Sequence, residues 1–520
     1  MTRSRTAAVL SLAALAAGVL LHVTAGYSGG ADTSEHAWGA DDAYISYRYA
    51  ENLNAGHGLV FNPGERVEGY SNLLFVALSA LLLRAVGADW IYPAVSAVNL
   101  LLLTFGAGWF YRHCAGPLGV KHPAVAAWLL ALCPGLWLWA ASGMETILVV
   151  VLQMALWIQV ERLEAAAGRR AFVGLAGILS LLVLVRADGF GWVAVTVVYL
   201  LIHRRFRLAA RTLLAVAPTL GLLFAWRAVY YGELLPNTYA AKVSEPLWQR
   251  LQHGAGQLYD LAFAGGLLPY LLVLFFTAGV TLLAPAGGRW SDRLRLPWPC
   301  FFGVSLALYW VYVGGDPYEE RFLLVLFPLG IVVFLRSFAE LEPAKLAFLA
   351  ALLLLLQTRV LFDDPRFDYT GEKYDCWVTL GRFLGEQPGD PLLAVDAAGK
   401  IPFFSGLRTL DMRGLTDRHI ARVEPFATYD YPGHNKRDPD YVLARRPNLI
   451  AAWVQPNLDL VLGLDRERYR AAGYRLRWML NTSKRARRSN VVDVRGAPET
   501  KIRGLIAGGY RYAVLTRTGD

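Results

Sequence analysis

Charge is what this chain has least of. Only 18% of its 520 residues are Asp, Glu, Lys or Arg, where a soluble domain carries about a quarter. The deficit falls on residues 1–360, and 361–520 read as an ordinary water-soluble sequence. Cysteine is scarce too. Of the four, Cys133 and Cys300 lie in apolar runs, Cys114 in a basic loop and Cys376 alone in the soluble part. That distribution excludes a disulfide framework, and the spacings fit no metal site. There is no long low-complexity segment and no clear internal repeat. The missing repeat counts against a transporter built from paired halves.

What is present is apolar sequence, with a mean hydropathy of +0.36. A bilayer needs roughly 20 apolar residues per crossing. Runs of that kind occur at 7–25, 91–111, 122–140, 145–160, 171–186, 189–203, 208–230, 263–284, 298–313, 322–337 and 344–360. The first has the basic start of a signal peptide but no cleavage site beyond its core, so it reads as an uncleaved span. The run 72–87 is only marginally long enough to cross. If it dips in and returns, every short basic loop falls on one side: Arg3 and Arg5, Arg112 and Lys121, Arg162 to Arg170, Arg204 to Arg207, Arg289 to Arg295, and Arg336 with Lys345. Positive loops stay cytoplasmic. The expectation is eleven spans plus one re-entrant segment in 1–360, with a first outer loop at 26–90 and the 361–520 domain outside. The net charge of +10 is then explained by the bilayer and does not ask for nucleic acid. A basic patch at 479–488 reads as a solvated loop or as a surface for lipid headgroups or an anionic glycan.

Ionisable residues at membrane depth are expensive and point to function. With this topology five polar motifs share the outer face. The first is Asp41-Asp42-Ala43-Tyr44, where Asp42 is suited to cap an interfacial helix bearing Ile45, Tyr49, Ala50 and Leu53 on one stripe. Its loop runs on to Glu68-Gly69-Tyr70-Ser71-Asn72. The second is Gly143-Met144-Glu145-Thr146, the third Arg186-Ala187-Asp188, the fourth Pro236-Asn237-Thr238-Tyr239-Ala240-Ala241-Lys242, and the fifth Gly314-Gly315-Asp316 with Arg321-Phe322. Each has a structural alternative: helix capping for Asp42, the helix dipole for Glu145, a mutual pair for Arg186 and Asp188, and snorkelling for Arg321. Their coincidence on one face is the stronger signal. Carboxylates to handle a hydroxyl and cations to hold a phosphate suit a lipid-linked anionic substrate.

The 361–520 stretch reads as α/β. Strands are expected at 392–396, 448–453, 474–481, 489–495 and 510–516, and helices near 374–386 and 438–446. Such a domain over a membrane site fits either acceptor-glycan binding or a structural lid.

The order of these motifs resembles the GT-C superfamily of membrane glycosyltransferases. It is most similar to relatives of the mycobacterial terminal β-(1→2)-arabinofuranosyltransferase. The likeness extends to Asp396-Ala397-Ala398-Gly399-Lys400 and Asp411-Met412-Arg413-Gly414-Leu415-Thr416-Asp417. The resemblance implies a polyprenyl-phosphate sugar donor, a glycan or glycolipid acceptor, and transfer with inversion at the outer face of a bacterial inner membrane. Asp41 is then the general base, with Asp42 and Glu145 orienting hydroxyls. Lys242 and Arg321 stabilise the phosphate, and Glu68, Tyr70, Arg186, Asn237, Tyr239 and Asp316 line the substrates. No cofactor is implied with certainty, and the acidic pair leaves room for a divalent cation. The competing readings are a lipid-linked-sugar transporter or flippase and a non-catalytic assembly subunit.

Overall fold

In the computed structural model the described residues are 39–518, apart from 115, 117–119, 166–167, 244, 264–265, 284–295, 317–318, 359–375, 427–432 and 483–489. The expected first span at 7–25, the basic residues Arg3, Arg5 and Arg289 to Arg295, and the core of the basic patch at 479–488 lie outside them.

The membrane part is helical throughout: α1 (Asp41–Asn54), α2 (Leu73–Val86), α3 (Ile91–Cys114), α4 (Pro123–Ala131), α5 (Pro134–Ala140), α6 (Thr146–Ala165), α7 (Arg169–Val185), α8 (Gly189–Ile202), α9 (Phe206–Tyr230), α10 (Asn237–Lys242), α11 (Leu247–Phe263), α12 (Leu268–Leu283), α13 (Trp298–Val313), α14 (Leu326–Ser337) and α15 (Pro343–Thr358). Among the described residues three stretches are long and apolar enough to cross a bilayer alone, at 88–114, 146–164 and 206–230. Two bent pairs, α4 with α5 and α11 with α12, pass the same test together, and shorter apolar helices fill the rest. The apolar side chains that remain exposed, such as Leu101, Phe105, Leu214, Leu222, Phe276 and Leu283, form the surface a lipid environment would cover. The chain is a multi-pass helical membrane protein.

The loops sort to two ends. At one end Lys121 pairs with Glu340 at 2.5 Å, Arg336 with Glu161 at 3.5 Å, and His203 lies 3.3 Å from the Leu296 carbonyl. These are the basic loops. At the other end sit α1, the loops carrying the acidic motifs, and the C-terminal α/β unit.

Two sequence expectations need correction here. Helix α1 starts at Asp41, with Ala40 in the capping position and no side-chain cap, so Asp42 is not the cap. Nor is α1 a one-sided interfacial helix. Residues 43–50 are all buried and Leu53, on the expected stripe, is exposed. The reason is a second roof. Phe403 meets Tyr44 edge-on and Phe404 meets it at a tilt, both from the C-terminal unit, with ring centroids 5.3 and 5.4 Å away. The run 72–87 also takes another form. It does not fold back on itself but makes the single helix α2, about 21 Å long at 1.5 Å per residue, lying along α1. Both flanks of α2 meet the C-terminal unit: Asp89 accepts from Arg382 at 2.7 Å, and Gly69 packs on Thr416. Helix α11 was not expected at all. Its axis is 112° from that of α12, and Trp248, Tyr259 and Phe263 are exposed on it.

The C-terminal unit contains α16 (Cys376–Gly385), β1 (Leu393–Val395), α17 (Lys400–Ser405), β2 (Thr409–Asp411), α18 (Pro439–Ala444), β3 (Leu449–Trp453), α19 (Arg466–Ala471), β4 (Tyr474–Asn481), β5 (Val491–Asp493), α20 (Glu499–Ala507) and β6 (Tyr510–Arg517). The strands form one sheet in the order β2-β1-β3-β6-β4-β5. The first three are parallel and the rest antiparallel. Strand β2, which was not expected, is extended by Asn62 of the membrane part. The Asn62 amide donates to the Thr409 carbonyl at 2.7 Å and accepts from its N–H at 2.9 Å. The carboxyl ends of β1 and β2 point at the membrane part, so the loops that follow them touch it.

Candidate active site

Asp41 lies where the two parts meet. Its backbone neighbour Ala40 donates to the Ser142 carbonyl at 2.9 Å, which ties the start of α1 to the Gly143-Met144-Glu145 turn. Its carboxylate accepts two N–H bonds from the loop after β1, from Lys400 at 2.7 Å and Gly399 at 3.1 Å. These N–H groups open α17 and have no partner within that helix. Desolvation beneath the C-terminal unit pushes the Asp41 carboxyl up to about 6, against the lowering pull of the Lys400 N–H and ammonium. Each oxygen keeps a second lone pair, since a carboxylate accepts about four hydrogen bonds. Asp42, one residue on, is half-buried and receives no hydrogen bond from the described residues.

Beside α1 runs a buried polar chain. Ser46 Oγ donates to Asn72 Oδ1 at 3.1 Å, and Asn72 Nδ2 donates to Glu145 Oε2 at 2.9 Å. The other Glu145 oxygen lies 3.7 Å from Arg186 Nη1, and Arg186 Nε donates to Asp188 at 2.8 Å. The Arg186 guanidinium rests 3.8 Å from the Phe322 ring centre, and that of Arg321 4.7 Å from the same ring. Arg321 in turn donates to Asp316 at 2.6 Å. So Glu145, Arg186, Asp316 and Arg321, drawn from three connecting segments, form one cluster around Phe322. Helix α11 props up its far side. Gln257 accepts from the Asp316 N–H at 3.0 Å, and His253 bonds the Gly314 carbonyl at 2.8 Å. Gly315 has φ +83°, and a Cβ there would meet Gln257 Oε1 at 1.8 Å. The positive φ favours glycine there, and a side chain would also displace the end of Gln257.

The remaining expected residues have protein partners or stand apart. Glu68 is 3% exposed and takes both oxygens to Arg227 Nε, at 3.0 and 2.9 Å; burial pushes its carboxyl up and Arg227 opposes this. Tyr70 is buried against Tyr49 and shares a 3.1 Å hydrogen bond with Tyr231. The Asn237 amide donates to the carbonyls of Gly414, Leu415 and Asp417 and accepts from Arg422. It therefore fastens the C-terminal unit. Lys242 is half-buried, with its aliphatic stem against Gly433. Tyr239 is exposed.

Sequence reasoning passed over Arg227 and Ser46, and it named Asn72 within its motif without a role. Arg227 carried a usable signal, being a cation in the last turn of an apolar helix, where a charge demands a partner. Ser46 and Asn72 carried none, because their value lies in pairing across 26 residues. The second motif of the C-terminal unit is built inward. Asp411 accepts from the N–H groups of Thr416 and Arg413 at 2.8 and 2.9 Å, and burial pushes it up to about 6. It shapes the loop that holds Asn237. As for a divalent cation, among the described residues no three His, Cys, Asp or Glu side chains gather as ligands.

Comparisons with known proteins place the chain beside the following relatives. A family described only as a domain of unknown function, DUF8728, matches residues 367–496, within the C-terminal unit. The terminal β-(1→2)-arabinofuranosyltransferase of Mycobacterium tuberculosis is 31% identical over 346 residues, 57% of this chain and 53% of that protein. The Corynebacterium glutamicum protein of the same name is 27% identical over 423 residues, covering 69% and 57% respectively. The chain thus aligns with little more than half the length of these curated relatives. In structure it matches ArnT from Cupriavidus metallidurans, solved with undecaprenyl phosphate, over 98% of both chains with a TM-score of 0.55 at 12% identity. The chain shares the fold of ArnT.

Proposed function

We propose that this GT-C-fold chain, a sequence relative of the terminal β-(1→2)-arabinofuranosyltransferases, moves a sugar from a polyprenyl-phosphate donor to a hydroxyl of an envelope glycan or glycolipid. Arabinofuranose is the sugar the relatives' name suggests. The single observation that carries the reading is the Asp41 carboxylate, oriented by two N–H groups at the head of a cluster that holds two guanidiniums on one ring.

In this reading the acceptor hydroxyl attacks the anomeric carbon as Asp41 takes its proton. A base whose pKa lies near the working pH is well matched to that task. The new C–O bond forms as the bond to the lipid phosphate breaks, so the anomeric centre inverts. The departing phosphate is a weak base that needs little protonation. Arg321 and Arg186, gathered on Phe322, are assigned its growing charge, with Lys242 as a further cation from α10, and fixed cations in a water-poor site act strongly on it. Asp42 and Glu145 orient hydroxyls. The basic end of the bundle is assigned to the cytoplasm by the positive-inside rule, and the site and C-terminal unit to the outer face of the bacterial inner membrane. The test is transfer by the purified protein from a panel of synthetic polyprenyl-phosphate sugars. Turnover of one sugar supports the reading, and binding of all without transfer removes it in favour of a carrier.

A further inference from the structure

The contact between Asp41 and the Gly399–Lys400 peptide joins parts of the chain 358 residues apart. It is tight by construction. Gly399 has φ −94° and ψ −93°, and a Cβ placed on it would lie 2.0 Å from the Asp41 carbonyl oxygen and 2.6 Å from Asp41 Cγ. No other residue fits there without lifting the C-terminal unit off α1. The Lys400 side chain is buried, with its ammonium 6.0 Å from the Tyr44 ring centre. Around the junction Arg48 donates to the Gly406 carbonyl at 2.9 Å, and Phe403 and Phe404 close over Tyr44.

We propose that Gly399 and Lys400 are positioning residues for transfer: their backbone N–H groups hold the Asp41 carboxylate in the orientation from which it takes the acceptor's proton, so the C-terminal unit is an integral part of the active site. This rests on the reading of Asp41 as the base. The two N–H bonds occupy one lone pair on each oxygen and leave the others for the incoming hydroxyl. They also favour the ionised form. The charged and titratable groups facing Asp41 are Asp42 on its own helix, Lys400 on α17 and the Tyr512 phenol on β6, which is itself bonded to Asp396. Of these, Lys400 lowers the Asp41 pKa through both its backbone N–H and its charge.

The experiment separates backbone from side chain in the full-length protein, using a polyprenyl-phosphate sugar that supports turnover and recording kcat and KM against pH. Lys400→Ala keeps the N–H and removes the ammonium. Lys400→Pro removes both, at the first helical position, where proline is tolerated. An amide-to-ester replacement at 400 removes the N–H alone and serves if the proline variant does not fold. The expected result is an acid limb near pH 6 in the wild type. It should shift upward by about one unit in the ester and proline variants, with kcat down at least tenfold and donor KM unchanged. The shift in Lys400→Ala should be smaller. If the ester and wild-type proteins share one pH profile, the proposal is overturned even where kcat falls, because a merely structural contact lowers the amount of active protein without moving the limb. Full activity in Asp41→Asn is the separate result that removes the base assignment itself.

Discussion

Arg227 Nε donates to both carboxylate oxygens of Glu68, at 3.0 and 2.9 Å, with both residues almost wholly buried. The pair crosses 159 residues of sequence and locks the loop before α2 to the end of α9. It also fixes Asn237, whose N–H donates to the Glu68 carbonyl at 2.9 Å. Glu68 therefore helps to frame the loop before α2.

Removing one partner of such a pair strands a buried charge. Arg227→Ala is expected to destabilise the protein by about 3–5 kcal/mol. The double variant Glu68→Gln with Arg227→Gln should recover much of that loss. Thermal unfolding in detergent measures both, and a double variant no more stable than Arg227→Ala contradicts the pairing.

Arg321 and Lys242 are expected to differ. Arg321 is buried, held by Asp316 and set on Phe322, whereas Lys242 is half-buried, with its stem against Gly433. Loss of a charged hydrogen bond to phosphate costs about 1.5–3 kcal/mol, so Arg321→Ala should lower kcat/KM for the donor by roughly 10- to 150-fold. Lys242→Ala should lower it less and act mainly through KM. Donor titrations with turnover measurements test the order, and unchanged kinetics in both variants would remove the phosphate assignment.

Topology is tested independently of catalysis. The two flanks of α2 both reach the C-terminal unit, through Gly69 against Thr416 and Asp89 to Arg382. Single cysteines at Glu65 and Asp89 should both react with an impermeant thiol reagent from outside intact cells. A reporter fused after Asp520 should be active on that same side. Labelling at Glu65 alone would mean that α2 crosses the bilayer.

How much of this was legible beforehand depended on range. Hydrophobic runs and basic loops were readable because each is local, and the helices α6, α7, α8 and α13 start within two residues of the expected runs. The longer strands β3, β4 and β6 follow their apolar patterns for the same reason. Helix α11 was missed because it carries Arg250, His253 and Gln257 on one side and large apolar groups on the other, a pattern too polar for a span. Its inner face is spent on the Gly314–Asp316 loop. Asp41 stood out from its neighbourhood, but what holds it did not. The Gly399–Lys400 N–H pair is backbone chemistry, supplied by residues whose side chains say nothing of it. Glu68 and Asn237 show the converse: their polar side chains in a turn-rich loop look like ligands for substrate until Arg227 and the carbonyls of 414–417 are found to take them.

The central claim is that Asp41 takes the proton. The measurement is sugar transfer from a polyprenyl-phosphate donor by the wild type, Asp41→Asn, Asp42→Asn and the double variant, across pH 5 to 8. Asp41 is raised from its ordinary 3.8 to about 6, so at pH 7 about nine-tenths of it is ionised and wild-type turnover should fall as pH drops through 6. Asp41→Asn keeps the shape, loses the base and should lower turnover by roughly 10²-fold or more, with expression and donor binding intact and the acid limb abolished. Asp42→Asn should lower it less and keep the limb. Wild-type transfer by the double variant would contradict the account.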